Sequence, residues 1–156
     1  MKSIFPAALL FIVSSFGFAQ AHQNEFNQFV DAQGALYSGV IETHHSNGAI
    51  EKQFEIASGI SEGFFKRFDE QGHLIETGQF EQGQKTGIWK QYHVNGIQAG
   101  EAQYKAGLKD GIWTVWDDNG TKRYHMVYSS GKKVDVWKMY DEHGALTNEM
   151  AMEVSE

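Results

Sequence analysis

The chain has no cysteine, and its one proline, Pro6, lies near the start of the sequence. Without cysteine it can form no disulfide, no thiol nucleophile and no thiolate zinc site, so packing and strand pairing must hold it together. Basic residues are also scarce, because 13 Lys and Arg stand against 20 Asp and Glu, a formal net charge of −7. Since an acidic chain is repelled by nucleic acid and by anionic lipid, we expect neither as a partner.

Long apolar runs are lacking too, except at the start of the chain. Lys2 precedes an apolar stretch over residues 4–18, and residues 19–21 (Ala-Gln-Ala) have the form of a signal-peptidase site. The stretch is shorter than the roughly 20 residues that span a bilayer. Residues 1–21 are therefore predicted to be a signal peptide, with no membrane span after cleavage. The mature protein is expected to be exported, to the periplasm or the extracellular space.

The dominant feature of the remaining sequence is a 24-residue repeat without insertions or deletions. Glycines recur at this step in three series, namely Gly48, Gly72, Gly96, Gly120 and Gly144; Gly59, Gly83, Gly107 and Gly131; and Gly39, Gly63, Gly87 and Gly111, where the fifth member is Asp135. A fixed period of this length indicates an array of one supersecondary unit. Such arrays are usually binding or scaffold surfaces.

Each repeat is predicted to be a β-hairpin. Residues 87–92 alternate with period 2, as in a strand, and the following turns combine Asp or Asn with a final Gly. The second strand is predicted over residues 97–104, and residues 107–111 are predicted to connect to the next unit. Gly87 and Trp89 share a face, so the ring is expected to cover that glycine.

The sequence therefore predicts an all-β fold, an elongated antiparallel meander of five 24-residue β-hairpin repeats. The repeat domain is predicted to occupy residues 39–156. Residues 22–38 copy one of its turns out of frame and are predicted to form an N-terminal cap.

Two aromatic rows are the strongest candidates for function. The first comprises Trp89, Trp113 and Trp137, and the second comprises Tyr92, Trp116 and Tyr140. Rows in register can be ladders that hold a thin sheet together by cross-strand packing. Alternatively, one row stays exposed and binds a protein or a glycan, because aromatic rings are favoured interface anchors. Both interpretations can hold, one on each face.

No group of residues predicts catalysis, a metal site or a cofactor. His45 and His93 lie two units apart, about 20 Å along the predicted sheet, so they cannot share a metal ion. The turn aspartates miss the EF-hand spacing, and hairpin chemistry accounts for them. Neither a Gly-x-Ser-x-Gly motif nor a phosphate-binding loop occurs. We therefore expect a non-enzymatic protein without catalytic residues, metal ligands or cofactors.

Residues 111–120 follow the pattern Gly-x-Trp-x-x-Tyr-Asp-x-x-Gly, with Trp116 at the position of the tyrosine. This pattern resembles the bacterial variant of the MORN repeat. Tyr128 and Gly131 continue the pattern, and the resemblance covers about residues 32–152. Many bacterial chains of this kind are grouped as antitoxin-like proteins of the YwqK type. The resemblance implies a β-hairpin array that binds protein and carries no catalytic residue.

The expected function is therefore protein–protein interaction by an exported, non-catalytic repeat protein. Two alternatives stay open, an antitoxin or immunity protein that neutralises a cognate toxin, and a cell-wall or carbohydrate-binding module. Self-association is a further expectation, because an open sheet edge can pair with another chain.

Overall fold

The computed structural model describes residues 21–152, so the predicted signal peptide (except Ala21) and residues 153–156 lie outside the described residues. In this part of the chain every regular element is a β-strand. The strands are β1 (His22–Gln23), β2 (Phe29–Val30), β3 (Gly39–His44), β4 (Ile50–Ala57), β5 (Ile60–Phe68), β6 (Leu74–Glu81), β7 (Gln84–Tyr92), β8 (Gln98–Lys105), β9 (Leu108–Trp116), β10 (Lys122–Ser129), β11 (Lys132–Tyr140) and β12 (Leu146–Ala151).

Strands β3 to β12 form one ten-stranded antiparallel sheet in which each strand lies beside its neighbours in sequence. The predicted all-β meander is thereby confirmed. The regular step of the sequence becomes a regular step of two strands, about 10 Å along the sheet. Equivalent side chains of successive units therefore form columns across the sheet on each face.

Two turn types alternate along the sheet. The tight turns have two residues, as at Ala106 and Gly107, which both have positive φ (48° and 77°) between the paired residues Lys105 and Leu108. Positive φ at both positions matches the right-handed twist of the strands. Because this turn is so short, β9 already begins at Leu108, and the predicted connection over residues 107–111 is wrong.

The wider turns close the other end of each hairpin through a polar side chain. Asp141 Oδ1 accepts hydrogen bonds from the backbone N–H groups of His143 and Ala145, both at 2.9 Å. The Ala145 bond, together with the N–H and the charge of His143, holds the pKa of the Asp141 carboxyl below its usual value, against a smaller opposing effect of partial burial. The ionised carboxylate is thus part of the turn.

Histidine replaces aspartate in the first and third of these turns and ties them to the next turn. The Nε2 atom of His45 lies 3.0 Å from the Phe68 carbonyl oxygen, and that of His93 lies 3.0 Å from the Trp116 carbonyl oxygen. Both histidines therefore have a structural role between units.

The N-terminal segment packs on the start of the sheet. Strands β1 and β2 pair with each other, and the Phe29 N–H donates to the Gly59 carbonyl oxygen at 2.8 Å. The Phe29 ring meets the Phe54 ring edge-on at a centroid distance of 5.7 Å. Residues 22–38 thus cover the tight turn between β4 and β5, which contains Gly59, and the aromatic side of the first hairpin.

The core lies along one face of the sheet, called here the ring face and defined by Phe65, Trp89, Trp113 and Trp137. Ile41, Ile56, Trp89 and Tyr128 are its most buried side chains within the sheet. The other side, called here the opposite face, carries Phe68, Tyr92, Trp116 and Tyr140, because successive residues of a strand alternate between faces.

Candidate functional site

The aromatic residues of the ring face form one continuous ladder across the sheet. Successive rings lie 5.1 to 6.5 Å apart between centroids, mostly edge-on or tilted. The members of this ring ladder are Phe29, Phe54, Phe65, Phe80, Trp89, Tyr104, Trp113, Tyr128 and Trp137. Aromatic pairs in these geometries add about 0.5–1.5 kcal/mol each beyond their buried area. The first predicted row is therefore part of the packing that holds the sheet together.

Each tryptophan of the ladder is fixed by the preceding strand. The indole N–H groups of Trp89, Trp113 and Trp137 donate to carbonyl oxygens ten residues earlier, at 3.2, 3.4 and 3.3 Å. The ring of Trp89 lies against Gly78, where an added Cβ would overlap it, whereas a Cβ on Gly87 would meet nothing. The expectation that Trp89 covers Gly87 is wrong, since the covered glycine belongs to the neighbouring strand.

A row of lysines accompanies the tryptophans four residues earlier in each unit. The Nζ atoms of Lys85, Lys109 and Lys133 lie 3.7, 3.8 and 4.5 Å from the ring centroids of Trp89, Trp113 and Trp137. Sequence reasoning missed this row, although the 24-residue step of the lysines was visible.

Within the part of the chain that the structure describes, only the first of these lysines has a carboxylate partner. Glu76 accepts from Arg67 at 3.1 Å and lies 3.3 Å from the Lys85 ammonium, and its side chain is only 12% exposed. One and two units later, the position of Glu76 is occupied by Gly100 and Tyr124. Within residues 21–152, Lys109 and Lys133 form no salt bridge.

Coverage of the ring face also changes along the sheet. In its N-terminal half, β3 to β7, Ile56 is 2% and Trp89 3% exposed. In its C-terminal half, β8 to β12, Tyr124 is 44% and Met150 47% exposed. Trp113 and Trp137 are half-buried there, and Tyr128 between them is buried.

Exposed and half-buried side chains of the C-terminal half form an apolar patch. Tyr124 pairs with Val115 on one side and with Met139 on the other, and Met150 pairs with Trp137. The residues Trp113, Val115, Tyr124, Trp137, Met139 and Met150 are called here the C-terminal patch. In the N-terminal half, the column of Val115, Tyr124 and Met139 is instead charged or polar, with Arg67, Glu76 and Gln91.

The second predicted row lies on the opposite face. Tyr92, Trp116 and Tyr140 are half-buried, and within the described residues they make no ring contact with one another. Ion pairs alternate with them, including Lys90 with Glu101 at 3.9 Å and Lys138 with Glu149 at 3.5 Å. The structure thus separates the two predicted rows.

A shallow concavity of about 100 Å³ lies on the ring face between Trp89, Tyr104 and Trp113. Small-molecule sites are usually larger, about 300–1,000 Å³. Burial raises the pKa of the Tyr104 hydroxyl at its edge, and the Glu76 carboxylate and Tyr128 add to the rise.

The described residues contain neither a cluster of metal-ligating side chains nor a helix that could span a membrane. Among residues 21–152 no three His, Asp or Glu side chains converge as metal ligands would. The same part of the chain contains no helix of the length and apolarity needed to cross a bilayer.

Comparison with known proteins supports a MORN-repeat protein. Residues 109–130 match the family described as MORN repeat variant. They comprise β9 except Leu108, the wide turn and all of β10, which together are the hairpin that the other units repeat. No curated protein matches the sequence.

One solved structure, titled as the GtfA/B complex bound to UDP and GlcNAc, resembles the chain with 14% identity and a TM-score of 0.30. The match covers 92% of this chain and 29% of the other chain, so the protein spans under a third of its length.

Proposed function

We propose that the protein is an exported, non-catalytic repeat protein that binds a protein partner through the C-terminal patch. The observation that carries this proposal is the exposure of Tyr124 and Met150 beside the half-buried Trp113 and Trp137. Tyrosine and tryptophan dominate the energetic centres of protein interfaces, because they offer large contact areas with few rotatable bonds.

The rigidity of the patch favours binding further. Its tryptophans are held by indole hydrogen bonds and by the ring ladder, so little conformational entropy is lost when a partner packs on them. A regular sheet also places the patch residues at fixed intervals. Export is proposed from the signal-like residues 1–21 alone.

The test is affinity capture from the envelope and secreted fractions of the host, followed by calorimetry with each purified candidate. The double variant Tyr124→Ser, Met150→Thr changes two exposed patch residues that contribute little to the packing of the sheet. The matched control Ile88→Thr, Ile112→Thr changes two residues of the opposite face with similar exposure, 51% and 45%.

We expect the patch variant to lose at least tenfold in affinity for the captured protein, while the control binds as the unchanged protein does. The identity of that protein separates a toxin from an envelope component. Equal binding by the two variants would contradict the proposal. So would a change in self-association of the patch variant without any captured partner, since the patch would then join copies of this chain.

A further inference from the structure

We infer that Lys109, Lys133 and the C-terminal patch form a binding site for an extended acidic peptide that runs across the strands. This inference rests on the proposed function and specifies the chemistry of its partner. The peptide would carry a carboxylate at every third residue and proline or another apolar residue between the carboxylates.

The charge of the site is the first argument. Lys85 is neutralised by Glu76, which also binds Arg67, so the protein itself supplies the carboxylate in the N-terminal half of the ring face. The equivalent positions beside Lys109 and Lys133 hold Gly100 and Tyr124, which have no charge. Two cations thus lie beside an apolar surface without a carboxylate partner in the described residues, and a partner's carboxylates would complement them.

Spacing is the second argument. Lys109 and Lys133 are equivalent residues of β9 and β11, which are two strands apart, about 10 Å. A polyproline II chain has three residues per turn and rises about 3.1 Å per residue, so the same side returns about every 9 Å. Carboxylates at every third residue of such a peptide would therefore match the two lysines.

The lysines can also uncover the rings. Each Nζ lies over a tryptophan, at 3.8 Å for Lys109 and 4.5 Å for Lys133. Such contacts are worth only about 0.5–1 kcal/mol where the site is exposed. A carboxylate can therefore draw the ammonium away, and the freed indole face can pack against the apolar residues of the peptide, as aromatic grooves do with proline-rich ligands.

Other anionic partners fit the site less well. Recognition of nucleic acid or of an anionic membrane depends on a strongly basic surface, commonly clusters of four to eight Lys or Arg in the membrane case. Here two lysines lie on a protein of formal net charge −7. The observations therefore favour a peptide.

The experiment measures binding of a synthetic peptide with four Pro-Pro-Glu repeats to the full chain without its predicted signal, by fluorescence anisotropy. A second peptide of the same composition has its glutamates adjacent, which breaks the spacing. We expect the spaced peptide to bind roughly tenfold more tightly, with binding that weakens as salt is raised.

Three variants identify the surface. Lys109→Gln with Lys133→Gln should weaken binding of the spaced peptide about tenfold, because both charge contacts are lost. Lys90→Gln with Lys138→Gln removes the same charge from the opposite face and should leave the affinity unchanged. Tyr124→Glu places a carboxylate relative to Lys133 as Glu76 lies relative to Lys85, and should weaken binding by internal competition.

The inference is overturned if the spaced peptide does not bind, if both peptides bind equally, or if the two lysine variants behave alike. Sedimentation with phosphatidylserine vesicles without peptide binding would overturn it as well. Failure of peptide binding while the Tyr124 and Met150 variant still loses the captured protein would refute the acidic peptide alone. If the peptide does not bind and the Tyr124 and Met150 variant still binds the captured protein, the proposed function is refuted too.

Discussion

In the N-terminal half of the ring face, Trp89 lies under Lys85, Glu76 neutralises that lysine, and Phe29 covers the first hairpin. In the C-terminal half the same tryptophan and lysine positions recur, but the carboxylate is replaced and Tyr124 and Met150 are open to solvent. Identical backbone units thus support a closed surface at one end and an open one at the other. A few side chains per repeat decide whether the ladder serves stability or binding.

The largest expected contrast is between two tryptophans. Trp89→Ala removes a buried ring and should cost about 3–5 kcal/mol of unfolding free energy, in the range of buried aromatic deletions. Trp137→Ala removes the last and half-buried rung and should cost less than about 2 kcal/mol. Urea denaturation followed by circular dichroism measures both. Equal costs would show that the two halves are equally packed.

Two glycines are expected to differ in the same direction as the two tryptophans. Gly78→Ala inserts a methyl group into the Trp89 ring and should destabilise the protein by about 1–3 kcal/mol. Gly100→Ala would bring its methyl group only into ordinary van der Waals contact, with Gln91 Oε1 nearest at 3.5 Å, and should change the unfolding free energy by less than about 1 kcal/mol. The midpoints of urea unfolding give the difference. A harmless Gly78→Ala would mean that the ring does not lie over that strand.

A stabilising substitution is expected in the C-terminal half. Asp135 has φ 60° where the preceding units have glycine. Asp135→Gly should remove this strain and raise the unfolding free energy by about 0.5–1 kcal/mol, in part offset by loss of the bond from the Val136 N–H to the Asp135 carboxylate. Thermal denaturation checks the sign, and a lower melting temperature would contradict the strain argument.

The smallest expected effect is on the stability of the fold at acidic pH. The lowered pKa of the Asp141 carboxyl means that the folded state favours its ionised form. Its contribution is therefore complete above the unfolded pKa, about 3.9, and is lost as the pH falls through the lower folded-state pKa. Asp141→Asn should reduce the loss of melting temperature between pH 5 and pH 3. An unchanged acid profile would show that this turn does not depend on the charge.

The sequence was sufficient to predict the meander, because a 24-residue step with turn glycines allows few other folds. The position of the Trp89 ring was not predictable, since the glycine that it covers, Gly78, lies on the neighbouring strand and is placed there by a cross-strand register that one strand does not reveal. Gly111 was predicted to lie in the connection between two units, but it lies inside β9. Its backbone has positive φ, which favours glycine within the strand as it does in a loop. The difference between the halves depends on Glu76, Gly100 and Tyr124. The 24-residue step makes these positions equivalent, but the contact of Glu76 with Lys85 became visible only once the strands were paired.

The most direct test of the open C-terminal half follows the three indole N–H signals of the ring ladder by NMR during titration with the spaced Pro-Pro-Glu peptide. We expect the signals of Trp113 and Trp137 to shift with a common dissociation constant while that of Trp89 stays in place. Equal shifts of all three signals, or a shift of Trp89 alone, would contradict it.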